Sequence, residues 1–390
     1  MKRLAVFCDG TWNSIESDIS TNVVCAATRI ALRDGNLPQV AHYQEGVGAG
    51  RGAFPFFDRI AGGAFGIGLN QLLRDAYLFL VLNYEPGDAI YAFGFSRGAY
   101  TARSLIGLIR NCGILRRNFI DKVDDAIAVY RNENPPHHPD CMEFRDQFAH
   151  KLAVGPEDEV EGRAQTMMRG PDGEPQKIDI AYLGLWDTVG ALGVPSFFPW
   201  SRSINDRFRF HDARLTRLVR QARHAVALDE RRRAFEPALF GNIDDLNARA
   251  LRAENIDPDQ IAPKDRPYQQ VWFIGDHGAI GGGASVTRPI AQIGLDWVLE
   301  GAARAGLQLD GFHPQDWRAN DSYKGPFNFR TPAKSPRLSD LLIATLGIRP
   351  RKGPSQREDA HPSLLARLAN DSNYRRRWKK LAQLLERNTA

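Results

Sequence analysis

Ala89-Ile90-Tyr91-Ala92-Phe93-Gly94-Phe95-Ser96-Arg97-Gly98 is the stretch that decides the fold. Its first five residues are apolar without alternation, the pattern of a strand buried on both faces in a parallel sheet. The run passes without a spacer into Gly94-x-Ser96-x-Gly98 and then into a helical pattern through about Asn111. A strand that turns at once into a helix around G-x-S-x-G is a nucleophile elbow: the serine sits on a strained turn, and the flanking glycines let neighbouring backbone approach without a Cβ clash.

Similar punctuation recurs on either side. Leu4 to Cys8 is a strand stopped by Asp9-Gly10, and Thr21 to Arg33 has the 3.6 period of a helix with Thr21 as N-cap. Val40 to Gln44 is a second strand, followed by a glycine-rich loop from Gly46 to Gly52 and a long apolar helix through Tyr84. That loop lacks the G-K-[ST] ending of a phosphate cradle, so it is expected to pack tightly or form a lid, and no cofactor is expected. Two more strands, Ile178 to Leu185 and Gln270 to Ile274, end at Trp186-Asp187 and Gly275-Asp276-His277. The alternation predicts an α/β class, α/β-hydrolase-like, with a mostly parallel central sheet, helices on both faces and cap or loop insertions. A single domain over 1–390 is expected, with insertions at about 113–176 and 190–267 and a helical tail at about 361–390.

Composition agrees with a large packed domain. With 390 residues, 43% hydrophobic and 25% charged, the chain is neither a disulfide-stapled miniprotein nor disordered. A net charge of +5 is far from that of a dedicated nucleic-acid binder, so no nucleic acid is expected and no protein partner is named. Cys8, Cys25, Cys112 and Cys141 show no zinc-ligand spacing, and no metal is expected. Reduced thiols, an opening apolar run of strand length and no span of about 20 apolar residues predict a cytoplasmic protein without signal peptide or transmembrane segment. Export would need a signal-independent route.

Serine is a weak nucleophile at its free pKa and needs a base held by an acid, in this fold in the chain order Ser, Asp or Glu, His. Asp187 and His277 follow parallel-type strands and would emerge at the same sheet edge as Ser96. His361, at the start of a helix, and His224, placed in a helix by its flanking pattern, are rival bases ranked second and third. The oxyanion donors are expected from the Arg97 amide and from Asp9-Gly10-Thr11, whose turn would leave the Gly10 or Thr11 amide free. Together these predict a serine hydrolase of carboxylic esters acting through an acyl-enzyme. Two other readings remain open: a non-catalytic interaction protein on the same fold, and a metal-dependent phosphoesterase suggested by Gly275-Asp276-His277-Gly278.

Several blocks resemble a bacterial and fungal family first catalogued as a domain of unknown function (number twenty-two thirty-five), which includes the catalytic domains of type VI secretion phospholipase effectors. They are LAVFCDGTWN from Leu4, Thr21-Asn22-Val23, YQEGVG from Tyr43, GFSRGAYTAR from Gly94, GLWDTVGALG from Gly184, HAVALDERRRAFEP from His224, VWFIGDHGAIGGG from Val271 and HPS from His361. The resemblance implies an α/β-hydrolase fold, Ser96, Asp187 and His277 as triad, and esterase activity on glycerophospholipids. The family usually has Ser-Asp after the histidine where this chain has Gly278-Ala279, so Asp276 is the candidate to take over. For reaching a lipid surface, the apolar Pro195 to Trp200 and the basic Arg375 to Lys380 are the segments suited to peripheral membrane contact.

Overall fold

The computed structural model describes residues 1–10, 20–46, 64–160, 162–190, 214–258, 260–327 and 349–387. Within them a seven-stranded sheet runs in the order β2-β3-β1-β4-β5-β6-β7. Its strands are β1 (Arg3–Cys8), β2 (Arg33–Asp34), β3 (Leu37–Gln44), β4 (Ala89–Phe95), β5 (Asp179–Trp186), β6 (Val219–Ala227) and β7 (Tyr268–Phe273). All neighbours pair in parallel except β2 and β3, which form a hairpin around Gly35 at φ +57°.

The apolar runs fill two layers, one on each face. In β1, Leu4, Val6 and Cys8 point into one layer, and Ala5 and Phe7 into the other. In β4, Ile90 and Ala92 take the first layer while Tyr91, Phe93 and Phe95 take the second. Helices α2 (Ala64–Asn83) and α3 (Arg97–Cys112) close the first face with Tyr77, Leu80 and Leu105. The second face is closed by α1 (Asn22–Ala27) and by α8 (Arg288–Arg304), the latter laying down Ile290, Leu295 and Val298. Burial on both faces explains why these strands show no alternation of apolar and polar residues.

Between β4 and β5 lie α4 (Val123–Arg131) and α5 (Pro139–Phe148), in the stretch expected as the first insertion. The second expected insertion, about 190–267, requires correction: Val219–Ala227 within it is β6, a central strand between β5 and β7, followed by α6 (Ile243–Ala253). His224 therefore lies on a strand rather than a helix. The helix expected over Thr21 to Arg33 is also shorter, ending at Ala27 before the Gly35 hairpin, although Thr21 Oγ1 does cap it by accepting from the Val24 amide at 3.2 Å.

The short helix α7 (His277–Gly281) follows β7, and α9 (Pro362–Asn370), α10 (Ser372–Arg377) and α11 (Lys379–Arg387) pack at the C-terminal end of the described chain. Leu364, Leu368, Tyr374, Leu381 and Leu385 join the second layer, while Arg376, Lys379 and Lys380 are exposed. No helix among the described residues is long and apolar enough to cross a membrane.

From β1 the chain reaches β3 on one side and β4 on the other, so the carboxyl ends of β1 and β4 flank the point where strand order reverses. Such crevices are where α/β sheets gather reactive groups. The approach there is close: a Cβ on Gly98 would lie 2.1 Å from the Cys8 carbonyl oxygen, and one on Gly94 2.5 Å from the Ala99 Cα. Gly98→Ala should therefore lose about 3 kcal/mol or more, because the obstruction is backbone and cannot rotate away. Exposed Gly278, whose added Cβ would meet its nearest atom at 3.7 Å, should tolerate alanine. Urea unfolding of both variants, followed by circular dichroism, checks the contrast.

Candidate active site

Because β4, β5, β6 and β7 run parallel in one sheet, the C-terminal ends of β4, β5 and β7 open onto one edge. Ser96 follows β4, Asp187 follows β5, and His277 begins α7 just after β7. Ser96 adopts φ 57° and ψ −121°, a conformation costing an L-residue about 1–3 kcal/mol. It is held there by its amide donating to the Trp186 carbonyl at 3.1 Å and by the glycine-tight packing of the turn. Asp187 is also forced, at φ 39°.

His277 Nδ1 lies 2.6 Å from Asp187 Oδ2, and Nε2 lies 2.8 Å from Ser96 Oγ. All three residues are buried. Burial works against the Asp187 charge, but the Arg351 guanidinium and His277 together hold its carboxyl far below the usual carboxylate range. Asp187 is thus an acceptor only, which puts the proton on Nδ1 and leaves Nε2 to accept from the serine hydroxyl.

Every remaining lone pair of Asp187 is occupied. Oδ1 accepts from the Ala227 amide at 3.0 Å and from Arg351 Nη1 at 2.6 Å, while Arg351 Nη2 donates to Oδ2 at 2.9 Å. The imidazole has the rings of Phe95 and Phe235 with centroids 4.7 Å away. Its backbone is anchored by Glu230, which accepts from the His277 amide at 3.3 Å. Glu230 is itself gripped by Arg232 at 2.6 Å. Asp276 caps α7 by accepting from the Ala279 amide at 2.8 Å. Gly281 makes room for Phe95, since a Cβ there would sit 2.0 Å from that ring.

The rival histidines have other tasks. His224 Nε2 accepts from the Thr188 amide at 3.1 Å, and Nδ1 contacts Gln270 Oε1 at 3.1 Å, so this ring supports the turn that carries Asp187. Burial and the Arg103 charge push it down to about 4. His361 caps α9 through Ser363 and stacks on Phe273 at 4.3 Å, with burial pushing it down to about 3.

Of the expected oxyanion donors, Arg97 stands at the first position of α3, directly after Ser96. Gly10 needs correction: its amide is not free but donates to Asp9 Oδ1 at 2.6 Å. The reason is that Asp9 is a buried carboxylate collecting donors, with Thr21 Oγ1 at 2.6 Å and the Tyr43 hydroxyl at 2.9 Å on Oδ2. Thr11 lies outside the described residues, as do most of the glycine loop and Pro195 to Trp200. Among the described residues no group of three or more His, Cys, Asp or Glu side chains is arranged to hold a metal ion.

Sequence reasoning missed Arg351, Glu230, Arg232 and Phe235. The last three lie in the HAVALDERRRAFEP block, whose density of charge beside a buried strand was the available signal. Arg351 had none, being one arginine in a basic stretch.

Residues 2–301 match the family described as type VI secretion system, phospholipase effector Tle1-like, catalytic domain. An uncharacterized protein of Saccharomyces cerevisiae is 27% identical over 249 residues, covering 61% of this chain and 33% of that protein. Among solved structures, an uncharacterized Pseudomonas aeruginosa protein aligns with a TM-score of 0.40 and 17% identity, covering 79% of this chain and 46% of that one. A Tle1 effector bound to the VgrG spike of the type 6 secretion system aligns with a TM-score of 0.39 and 14% identity, covering 91% and 81%. The chain thus spans about a third of the yeast relative and under half of the Pseudomonas protein.

His224 also gives the site a pH signature. A ring near 6.5 when unfolded and about 4 when folded is protonated in the unfolded state first, so its contribution to stability is present above pH 6.5 and lost as pH falls from there toward 4. His224→Gln should remove roughly 2 kcal/mol of the stability lost between pH 7 and pH 5. Parallel urea titrations of the two proteins at those pH values measure the difference.

Proposed function

The chain belongs to the family of type VI secretion system, Tle1-like phospholipase effector catalytic domains, and from that premise we propose that it is a serine esterase of lipid esters, phospholipids foremost. The observation that carries the reading is the unbroken hydrogen-bonded line from Ser96 Oγ through His277 to Asp187.

In this mechanism His277 Nε2 takes the hydroxyl proton as Ser96 Oγ attacks the ester carbonyl. The tetrahedral oxyanion forms beside the N-terminus of α3, where the Arg97 amide and the helix dipole favour negative charge. The imidazolium is held by the Asp187 carboxylate and then returns the proton to the leaving alcohol, giving an acyl-enzyme. Water, deprotonated by the same nitrogen, releases the acid. The strain at Ser96 keeps its oxygen clear of the sheet edge before substrate arrives, and Phe95 and Phe235 give the base apolar neighbours.

A phospholipid must be met at a surface. Exposed Arg376, Lys379 and Lys380 support a peripheral contact with anionic headgroups, whereas Leu381 and Leu385 beside them are buried. The contact proposed is therefore electrostatic rather than inserted, and salt would weaken it.

Ser96→Ala should fold as the parent does and lose turnover of phospholipids and of a short p-nitrophenyl ester by a factor of about 1000 or more. The parent should be labelled by a fluorophosphonate at Ser96, with chelator leaving both activities unchanged. Undiminished turnover in the alanine variant would remove Ser96 from the chemistry. Chelator-sensitive turnover that survives the substitution would favour a metal-dependent reaction instead.

A further inference from the structure

Resting on that esterase reading, we propose that Arg351 is a positioning residue: it fixes the Asp187 carboxylate in register with His277 and lowers the proton affinity of the His277–Asp187 pair. The guanidinium meets the carboxylate fork to fork, Nη1 on Oδ1 at 2.6 Å and Nη2 on Oδ2 at 2.9 Å. The second N–H of Nη1 reaches the Ala227 carbonyl at 2.5 Å and that of Nη2 the Phe235 carbonyl, while Nε is buried without a partner among the described residues. Rotating the carboxylate away from the imidazole would break this pairing and the Ala227 bond together, so the acid has one orientation.

Arg351 comes from the segment 349–387, beyond the matched span that ends at residue 301. That segment holds the base as well as the acid. Tyr374 Oη and Trp378 Nε1 each donate to Asp229 at 2.9 Å, and Asp229 Oδ2 accepts from the Gly275 amide at 2.8 Å, two residues before His277. The Arg349 amide donates to the Arg231 carbonyl at 2.8 Å, joining it to the strand end that carries Glu230.

The electrostatic consequence follows from which charges face the ring. Asp187 is offset by Arg351, Glu230 is offset by Arg232, and Asp276 stands on the ring's own loop. Without Arg351, the carboxylate at 2.6 Å from Nδ1 would be an uncompensated buried anion and would hold a proton on the pair more tightly. The arginine thus keeps the base neutral, and able to accept from Ser96, further into the acid range.

The test uses the full chain with Arg351→Met and Arg351→Lys, each first shown to be folded by circular dichroism. Two readouts are taken: the pH dependence of kcat/KM on a p-nitrophenyl ester, and the NMR titration of the His277 ring, assigned with His277→Gln. Arg351→Met should move the acid midpoint up by about one unit in both. It should also cut kcat/KM at the optimum about tenfold or more. Arg351→Lys, which keeps the charge and loses the fork, should leave the midpoint in place while still lowering the rate. An unmoved NMR midpoint in folded Arg351→Met overturns the proposal. Should that variant fail to fold, Arg351→Gln, which keeps a donating amide, is read in the same way. If the parent shows neither turnover nor fluorophosphonate labelling, the esterase reading falls on its own, and the NMR shift still decides the role of Arg351.

Discussion

A carboxylate with no surface in water must find inside the protein as many donors as its oxygens can accept, and Asp187 is the place where that requirement organises this molecule. Its four acceptor positions are filled from three parts of the chain: the end of β6 gives the Ala227 amide, the turn after β7 gives His277, and the segment near the C-terminal end gives Arg351 twice. Leaving such a group short of a partner costs several kcal/mol, a large part of the stability of an ordinary domain. Folding the sheet correctly and bringing Ser96, His277 and Asp187 together are therefore one event, because the buried carboxylate is satisfied only when all of these elements are in place.

The second constraint is steric. Gly94 and Gly98 let α3 leave β4 so abruptly that Ser96 is forced into a conformation a free chain would avoid, with β1 pressed against the turn. The carbonyl ends of β1 and β4, the first turn of α3 and the aspartate turn after β5 share this small volume. Around it lies a ring of supports that touch no reacting atom: His224 beneath Thr188, Glu230 behind the His277 amide, Asp276 capping α7. They spend buried polar groups on orientation.

The strands ending at Ser96, Asp187 and His277 were readable in the sequence because each is a short apolar run stopped by glycine or a polar residue, and parallel strands deliver their ends to one edge. β6 was not readable. Arg220, Gln221, Arg223 and His224 interrupt its pattern, and only tertiary partners make those side chains compatible with a central strand: Arg223 lies over the Trp297 ring at 4.9 Å, and His224 is bonded at both nitrogens. The stop of β1 before Asp9-Gly10 was placed correctly, but the direction of the Gly10 amide depended on Asp9 being buried, which no local pattern reveals. Arg351 was hidden for a different reason: its partner is 164 positions away, and neither neighbourhood hints at the other.

That separation has a consequence for the order of events on the ribosome. Ser96, Asp187 and His277 have all been translated by the time position 277 is added, yet the guanidinium that compensates Asp187 arrives 74 codons afterwards. A nascent chain that closed its cleft early would trap a bare anion in a low-dielectric interior, so the electrostatics favour delay. Burial of Asp187 therefore waits on the docking of the segment 349–387.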